Sequence, residues 1–404
     1  MISISKLLCE VDAAGDGLRY DDGRDSSREQ ITEERTTKPV VVWNLTRRCN
    51  LYCDHCYAGA DLDAAPGELT TAEGTQLLDD LADYGVPVVL FSGGEPLVRE
   101  DLETLVAHAA DAGIRPVLST NGTLVTPDRA AALRDAGLKY AGVSVDGMPE
   151  RNDAFRGEDG AFDAALDGIE CFLDAGVKTG LRYTITERNA ADMEQVVDLL
   201  SDVGVDRFCF YHLDYGGRGG EIADADLTPE ARRAAVERLC EMTRSYHDAG
   251  EEIETLLVGN YCDAAFLVEY ARDRFGEPRA AAVRRYLEVN GGDPTGERVA
   301  DVDYQGNVHP TQFWQGYSLG NVRDRPFGAI WDDESNPLLS ALRGREEHLT
   351  GRCETCRHRD ICRGGSRLRA LAAEGDVFAP DPQCYLTREE RVGAAVEEGG
   401  SAAD

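Results

Sequence analysis

Cys49, Cys53 and Cys56 form a C-x3-C-x2-C triplet in the stretch Cys49-Asn50-Leu51-Tyr52-Cys53-Asp54-His55-Cys56. Three thiols so close can hold three irons of a cubane [4Fe–4S] cluster and leave the fourth iron without a protein ligand. An open iron can bind a small molecule, which a fully ligated electron-transfer cluster does not readily do. A zinc site and three structural thiols are the alternatives. Zinc ordinarily takes a fourth Cys or His close by, and His55 lies between two of the thiols, where it would strain to serve. A second group, Cys353-x2-Cys356-x5-Cys362 with Cys384 further on, offers four thiols. That is enough for every iron of another [4Fe–4S] cluster, with structural zinc as the rival. Cys9, Cys171, Cys209, Cys240 and Cys262 are scattered and read as small buried residues.

These thiols need elements to position them. The apolar run Val40-Val41-Val42-Trp43 reads as a buried strand, which leaves the triplet in the loop at its C-terminal end. From about 39 to 215 short apolar runs alternate with helical periodicity. Strands are expected at 39–44, 86–91, 115–119, 139–145, 178–185 and 206–212, and helices near 71–84, 99–112, 127–136, 162–175 and 191–203. Thr70 with Glu73 makes a capping box, and Thr126-Pro127 marks a helix start. Six alternating units imply an α/β fold of parallel strands joined by right-handed crossovers: a partial (β/α)6 TIM-like barrel or a doubly wound sheet. In either case the site lies at the C-terminal strand ends. There stand Phe91-Ser92-Gly93-Gly94-Glu95-Pro96, Ser119-Thr120-Asn121-Gly122, Ser144-Val145-Asp146-Gly147, Arg182 and Tyr211-His212. Two adjacent glycines let a ligand approach the backbone, although Asn-Gly and Asp-Gly are also ordinary turn dipeptides.

The triplet and the Gly93-Gly94-Glu95 element together resemble the radical S-adenosylmethionine (radical SAM) superfamily. The resemblance implies that the open iron chelates the amino and carboxylate groups of SAM. One electron, from a donor such as ferredoxin or flavodoxin, then cleaves SAM to a 5′-deoxyadenosyl radical. It further implies that His55 lies near the adenine and that Gly93, Gly94 and Glu95 receive the SAM amino group. Asn121, Ser144 and Asp146 would bond ribose and carboxylate, and Arg182 the carboxylate. The C-terminal cysteines resemble the auxiliary-cluster domain of SPASM or shortened "twitch" kind. Two of that domain's cysteines are missing: Gly306-Asn307-Val308-His309-Pro310-Thr311 carries none, and Ser366 stands where a later one belongs. One auxiliary [4Fe–4S] cluster is therefore expected, on Cys353, Cys356, Cys362 and Cys384.

Further segments resemble the heme-biosynthesis branch of the superfamily. They are Ile4-Ser5-Lys6-Leu7-Leu8-Cys9, Leu18-Arg19-Tyr20, Trp43-Asn44-Leu45-Thr46-Arg47-Arg48-Cys49, Asn290-Gly291-Gly292, His309-Pro310-Thr311-Gln312-Phe313-Trp314, Tyr317-Ser318-Leu319-Gly320-Asn321-Val322-Arg323 and Cys362-Arg363-Gly364-Gly365. This implies an iron tetrapyrrole substrate. Two acetate side chains would be removed from 12,18-didecarboxysiroheme to give iron-coproporphyrin III. In the heme d1 members two propionates are instead replaced by oxo groups. Carboxylates on such a substrate call for guanidinium, and the candidates are Arg182, Arg218, Arg323, Arg363, Arg367 and Arg369. His212, His309 and Tyr317 are candidates for the substrate iron. Two readings compete. A peptide-modifying maturase usually adds an N-terminal recognition domain, for which residues 1–38 are too short. A non-catalytic iron–sulfur or zinc protein is countered by the intact triplet with Gly93-Gly94-Glu95.

Composition sets the setting. The chain of 404 residues has 75 acidic against 42 basic residues, a net charge of −33, and only four of the basic residues are Lys. Such a surface repels nucleic acid and anionic membranes. At 42% hydrophobic residues the chain is nevertheless a folded one. The charge suits a halophilic cytoplasm, where salt screens self-repulsion; greater stability at low salt than in molar KCl would contradict this. No signal peptide or membrane insertion is expected. The expected organisation is an N-terminal arm (1–38), the barrel (39–215), a helical connecting region (216–300), the auxiliary domain (301–390) and a disordered acidic tail (391–404).

Overall fold

The computed structural model describes residues 1–13, 15–20, 38–63 and 65–393. Residues 21–37 of the expected arm and 394–404 of the expected tail lie outside them.

All six expected strands form: β2 (Val40–Asn44), β3 (Val88–Ser92), β4 (Arg115–Thr120), β5 (Ala141–Ser144), β6 (Thr179–Ile185) and β7 (Arg207–His212). Each is a short run of mainly apolar residues buried on both faces, as a parallel sheet covered by helices requires. The intervening helices start where the caps predict. Thr70 and Glu73 form the capping box of Thr71–Tyr84, and Thr126 Oγ1 accepts from the Arg129 amide at the start of Pro127–Asp135.

The parallel sheet does not stop at residue 215. β8 (Glu254–Val258) pairs parallel with β7, inside the stretch read as a helical connection. β9 (Val299–Val302) pairs parallel with β2. Eight parallel strands therefore run in the order β8-β7-β6-β5-β4-β3-β2-β9. A hairpin follows. β10 (Asn307–His309) turns back on β9, and β11 (Gly320–Asn321) on β10, both antiparallel. At the opposite edge β1 (Ile2–Ser3) lies antiparallel on β8, so the N-terminal arm is a strand followed by the helix Ile4–Cys9. Within the expected helical region stand two consecutive helices, Cys262–Phe275 and Glu277–Asn290, parted at Gly276 with φ +85°. Pro278 starts the second, since its missing N–H costs nothing in a first turn. Among the described residues no helix is long and apolar enough to cross a membrane.

Candidate active site

The cysteine loop follows β2, and the loop after β3 is laced to it. The Gly94 amide donates to Thr46 O (2.7 Å) and the Glu95 amide to Arg48 O (2.9 Å). The approach is so close that a Cβ on Gly94 would lie 2.2 Å from Arg48 O, and one on Gly93, where φ is +135°, would lie 2.5 Å from Thr46 O. The two glycines line a cavity; Glu95 does not. Its carboxylate is fully buried and accepts from Thr120 Oγ1 (2.7 Å), the Asn121 amide (2.8 Å) and the Leu97 amide (3.1 Å). The Glu95 carboxylate thus ties the ends of β3 and β4 together and lies off the cavity wall, where the expectation had placed it.

The three thiols open on this cavity, of about 150 Å³, together with His55, Asn121, Ser144 and Arg182. Each sulfur accepts an N–H: Cys49 from the Leu51 amide (3.4 Å), Cys53 from the Arg156 guanidinium (3.7 Å) and Cys56 from the Ala60 amide (3.4 Å). Asn121 Nδ2 lies 3.9 Å from the Cys49 sulfur. Burial pushes the Cys49 thiol up to about 12, and it raises Cys53 as well. Bare, these groups stay neutral at pH 7, whereas iron would hold them as thiolates. N–H donors trained on sulfur suit that charge and tune a cluster. Among the described residues no three His, Cys, Asp or Glu side chains close on a single metal ion, as zinc would require with sulfurs about 4 Å apart. Three thiols on one cavity wall, each met by an N–H donor, fit three irons of a cubane cluster.

Beneath the loop lies a support that the sequence did not announce. His55 stacks on Phe155 (4.4 Å between centroids, 5° between planes). Burial lowers its pKa to about 4, which leaves a neutral flat ring at the cavity wall. Asp146 is fully buried and absent from that wall, contrary to expectation. Its Oδ1 accepts the Thr184 amide (2.6 Å), and its Oδ2 faces Arg156 and, at 3.3 Å, His55 Nε2. Arg156, the residue missed, bridges this carboxylate to the Cys53 sulfur. It ends the helix Pro149–Arg156, and nothing in its local sequence separates it from a surface arginine.

A second cavity, of about 310 Å³, runs down the inside of the barrel and meets the first at Leu90, Arg182, Tyr211, Asp214, Gln312 and Phe313. Every second residue of several strands faces it: Val40 and Val42, Val88 and Leu90, Arg115 and Val117, Arg207, Cys209 and Tyr211, Leu256 and Val258. That is the period-2 alternation of a barrel wall. Barrel interiors of this type are ordinarily filled by side chains. Here β5 and β6 place glycine at inward positions. A Cβ on Gly142 would lie 2.2 Å from Arg182 Nε, and one on Gly180 2.2 Å from Tyr140 Oη. Arg182 Nε is buried there without a hydrogen-bond partner, and Tyr140 Oη lies beside Cys209. Five arginines (19, 115, 182, 207, 298) line this cavity against two carboxylates, Asp214 and Asp293.

Cys353, Cys356, Cys362 and Cys384 line one recess, with Arg352, Arg359 and Arg391 around them. A fifth thiol joins them: Cys262 opens on the same recess. The Cys384 thiol is held down to about 7, first by a hydrogen bond from Cys262 and against the effect of burial. Four thiols in an arginine-rimmed hollow fit an anionic cluster. Cys262 stands 91 positions ahead of Cys353, so spacing gave no sign of it.

The substrate candidates do not come together. His212 lines the first cavity, but its Nδ1 accepts from Arg232 (2.6 Å) and its Nε2 donates to Asp263 (2.8 Å), so no nitrogen is left for iron. His309 is equally occupied, by Tyr317 O (2.8 Å) and Asp303 (3.3 Å). Tyr317 points to Asn336 (3.4 Å). Arg323 pairs with Glu73 outside the barrel, and Arg363 pairs with Glu297 and Glu346. Arg367 is fully buried on the carbonyls of Gly364, Val377 and Ala379, and Arg369 on Asp381. Arg218 clamps the cysteine loop through Cys53 O (2.9 Å) and Ala60 O (2.7 Å). Arg182 alone of these arginines lines both cavities.

Behind His309 lies Asp301, fully buried, accepting from Asn44 Nδ2 (2.7 Å). Burial pushes its pKa up to about 8, against the opposing influence of His309. Between the ordinary carboxyl range and pH 8 the folded chain keeps a proton that the unfolded chain has released. Its contribution to stability therefore falls as pH rises through that window, by at most about 1.4 kcal/mol per unit. Asp301→Asn is expected to raise the melting temperature at pH 7.5 and to leave it unchanged at pH 4. An equal effect at both pH values would contradict the buried protonated acid.

Comparison with known proteins follows the same lines. The radical SAM superfamily profile matches residues 43–200, and the SPASM iron–sulfur cluster-binding domain profile matches residues 294–357. The chain is 47% identical to an Fe-coproporphyrin III synthase of Methanosarcina barkeri over 396 residues, 96% of this chain and 98% of that protein. It is 43% identical to a pre-heme d1 synthase of Dinoroseobacter shibae over 88% of each. Among solved structures, Streptococcus suis SuiB bound to its precursor peptide SuiA superposes with TM-score 0.67 at 18% identity, over 85% of this chain and 75% of that one. AnSMEcpe with bound AdoMet and a peptide gives 0.66 at 19%, over 86% and 94%. At such identities these two speak for the fold alone.

Proposed function

The chain belongs to the radical SAM superfamily, and from that premise we propose that it is an iron-tetrapyrrole enzyme, converting 12,18-didecarboxysiroheme to iron-coproporphyrin III. The observation that carries the reading is the barrel cavity. It is apolar along its walls, opens onto the cysteine cavity, and holds five arginines against two carboxylates in a chain of net charge −33. A flat apolar macrocycle edged with carboxylates matches that polarity. A peptide backbone would instead call for lined-up amide partners. The name carried by the relative at 47% identity supports the same substrate.

The cluster and SAM, when bound, supply a 5′-deoxyadenosyl radical that takes a substrate hydrogen. In the proposed assignment Cys49, Cys53 and Cys56 hold the cluster, and Arg156 and the loop amides stabilise its sulfurs. Gly93, Gly94, His55, Asn121, Ser144 and Arg182 form the wall that orients SAM. Cys353, Cys356, Cys362 and Cys384 hold the auxiliary cluster. A small electron carrier of the ferredoxin or flavodoxin class would supply the electron, in a halophilic cytoplasm.

The test is an end-product assay. The anaerobically reconstituted protein is given SAM, a reductant and 12,18-didecarboxysiroheme in high salt, and the extracted tetrapyrrole is weighed by mass spectrometry. Iron-coproporphyrin III with 5′-deoxyadenosine is expected, and Cys49→Ala should abolish both. An oxo product lacking propionates would move the protein to the pre-heme d1 reaction of its relative at 43% identity. An unchanged macrocycle would sink the tetrapyrrole reading.

A further inference from the structure

Resting on that reading, we infer that the N-terminal end of the barrel is a carboxylate-binding floor, where Arg298 and Arg115 hold side-chain carboxylates on the macrocycle edge opposite the one being cut. The cysteine loop and the SAM wall stand at the C-terminal strand ends. The other end of the same cavity is marked by residues at or just before strand starts: Arg115 begins β4, Arg207 begins β7, and Arg298 directly precedes β9. From Val40 to Asn44 the wall is about 13 Å tall, so a ligand touching both ends must be long and flat along the barrel axis.

The floor's arginines are not equivalent. Arg207 and Arg19 share Glu254, and Arg19 also meets Asp16 (3.0 Å). Their charge is largely spent. Arg298 donates to one backbone carbonyl, Gly292 O (2.7 Å). Asp293, the nearest lining carboxylate in sequence, is taken by Arg345 (2.6 Å) and the Thr295 amide (2.9 Å). Among the described residues neither Arg298 nor Arg115 has a carboxylate within ion-pair distance. Burial lowers the pKa of Arg298, the mark of a cation short of an anion. In so acidic a chain, a half-buried guanidinium at Arg298 kept free of carboxylates, with the exposed Arg115 at the cavity's outer edge, leaves room for a ligand's own carboxylates. Tyr140 Oη, beside Cys209, adds a hydroxyl to the same wall.

The experiment is an anaerobic optical titration of the reconstituted full chain with iron-coproporphyrin III and with its tetramethyl ester, alongside electron paramagnetic resonance of the reduced clusters. Wild type is expected to prefer the tetra-acid. Arg298→Met should weaken the tetra-acid about 30-fold, the loss of one charge-assisted pair. It should spare the ester affinity and the cluster spectra, and Arg298→Lys should recover part of the loss. If wild type prefers the acid and Arg298→Met binds it equally well, the floor is overturned while the substrate reading stands. Equal weakening of acid and ester would make Arg298 a shaping residue only and would also overturn it. If wild type binds neither compound, both the floor and the tetrapyrrole reading fall.

Discussion

Gly94→Ala is expected to empty the cysteine triplet of iron while leaving the auxiliary site loaded. A Cβ there would lie 2.2 Å from Arg48 O and 2.6 Å from the Arg48 carbonyl carbon. The obstacle is backbone, which cannot swing aside as a side-chain tip would. Relief requires that the loop after β3 part from the chain leading into Cys49, breaking the bonds from Gly94 to Thr46 and from Glu95 to Arg48. Cys49 then shifts relative to Cys53 and Cys56, which are anchored independently by Arg156 and Arg218. A cluster tolerates little displacement of one ligand out of three. Iron should fall from about eight to about four per chain after anaerobic reconstitution, with 5′-deoxyadenosine formation lost and the remaining resonance that of the auxiliary cluster. Retention of about eight irons with normal SAM cleavage would mean that the two loops are not coupled as described.

The second large effect is on stability. Arg156 and Asp146 form an ion pair with both side chains nearly inaccessible to water, 8% and 0% exposed. Removing one partner strands the other charge in the interior, which costs about 3–5 kcal/mol. Arg156→Leu should therefore lower the melting temperature of the apo-protein by on the order of 10 °C. The double variant Arg156→Leu with Asp146→Asn should recover much of this. The amide keeps the acceptor used by the Thr184 backbone and removes the uncompensated charge. A double variant no better than the single one would show that the cost lies in lost packing under the cysteine loop.

Local signals carried the barrel, and long-range ones did not. β2 to β7 were legible because each is a short, mainly apolar run that gives way to the polar or glycine-bearing residues of a loop. β8 was not: Glu251-Glu252-Ile253-Glu254-Thr255 hides a strand of five residues behind a polar start. β9 is half of a hairpin with β10. Its parallel pairing with β2, more than 250 positions away, leaves no trace in local pattern.

The thiols were legible because covalent chemistry fixes their spacing. The substrate contacts were not, since residue type says nothing of whether a side chain's bonding capacity is already used. His212 and His309 look available in sequence and are saturated in the fold. Arg298 looks like one more basic residue of a turn; in the fold it bonds the Gly292 carbonyl and has no carboxylate within ion-pair distance among the described residues. Gly142 and Gly180 carry no mark of function in their local sequence. Their meaning lies in Arg182 and Tyr140, which fill the space they vacate.

Arg182 stands on the boundary between the two cavities and contributes to the wall of each. On the proposed assignment, SAM and macrocycle therefore meet the same guanidinium from opposite sides. Occupancy on one side changes the field and the freedom of that cation as felt from the other. Linkage of this kind is symmetric: the factor by which the macrocycle alters the affinity for SAM equals the factor by which SAM alters the affinity for the macrocycle. A single side chain would thus make the costly cofactor and the substrate report on one another before any bond is broken.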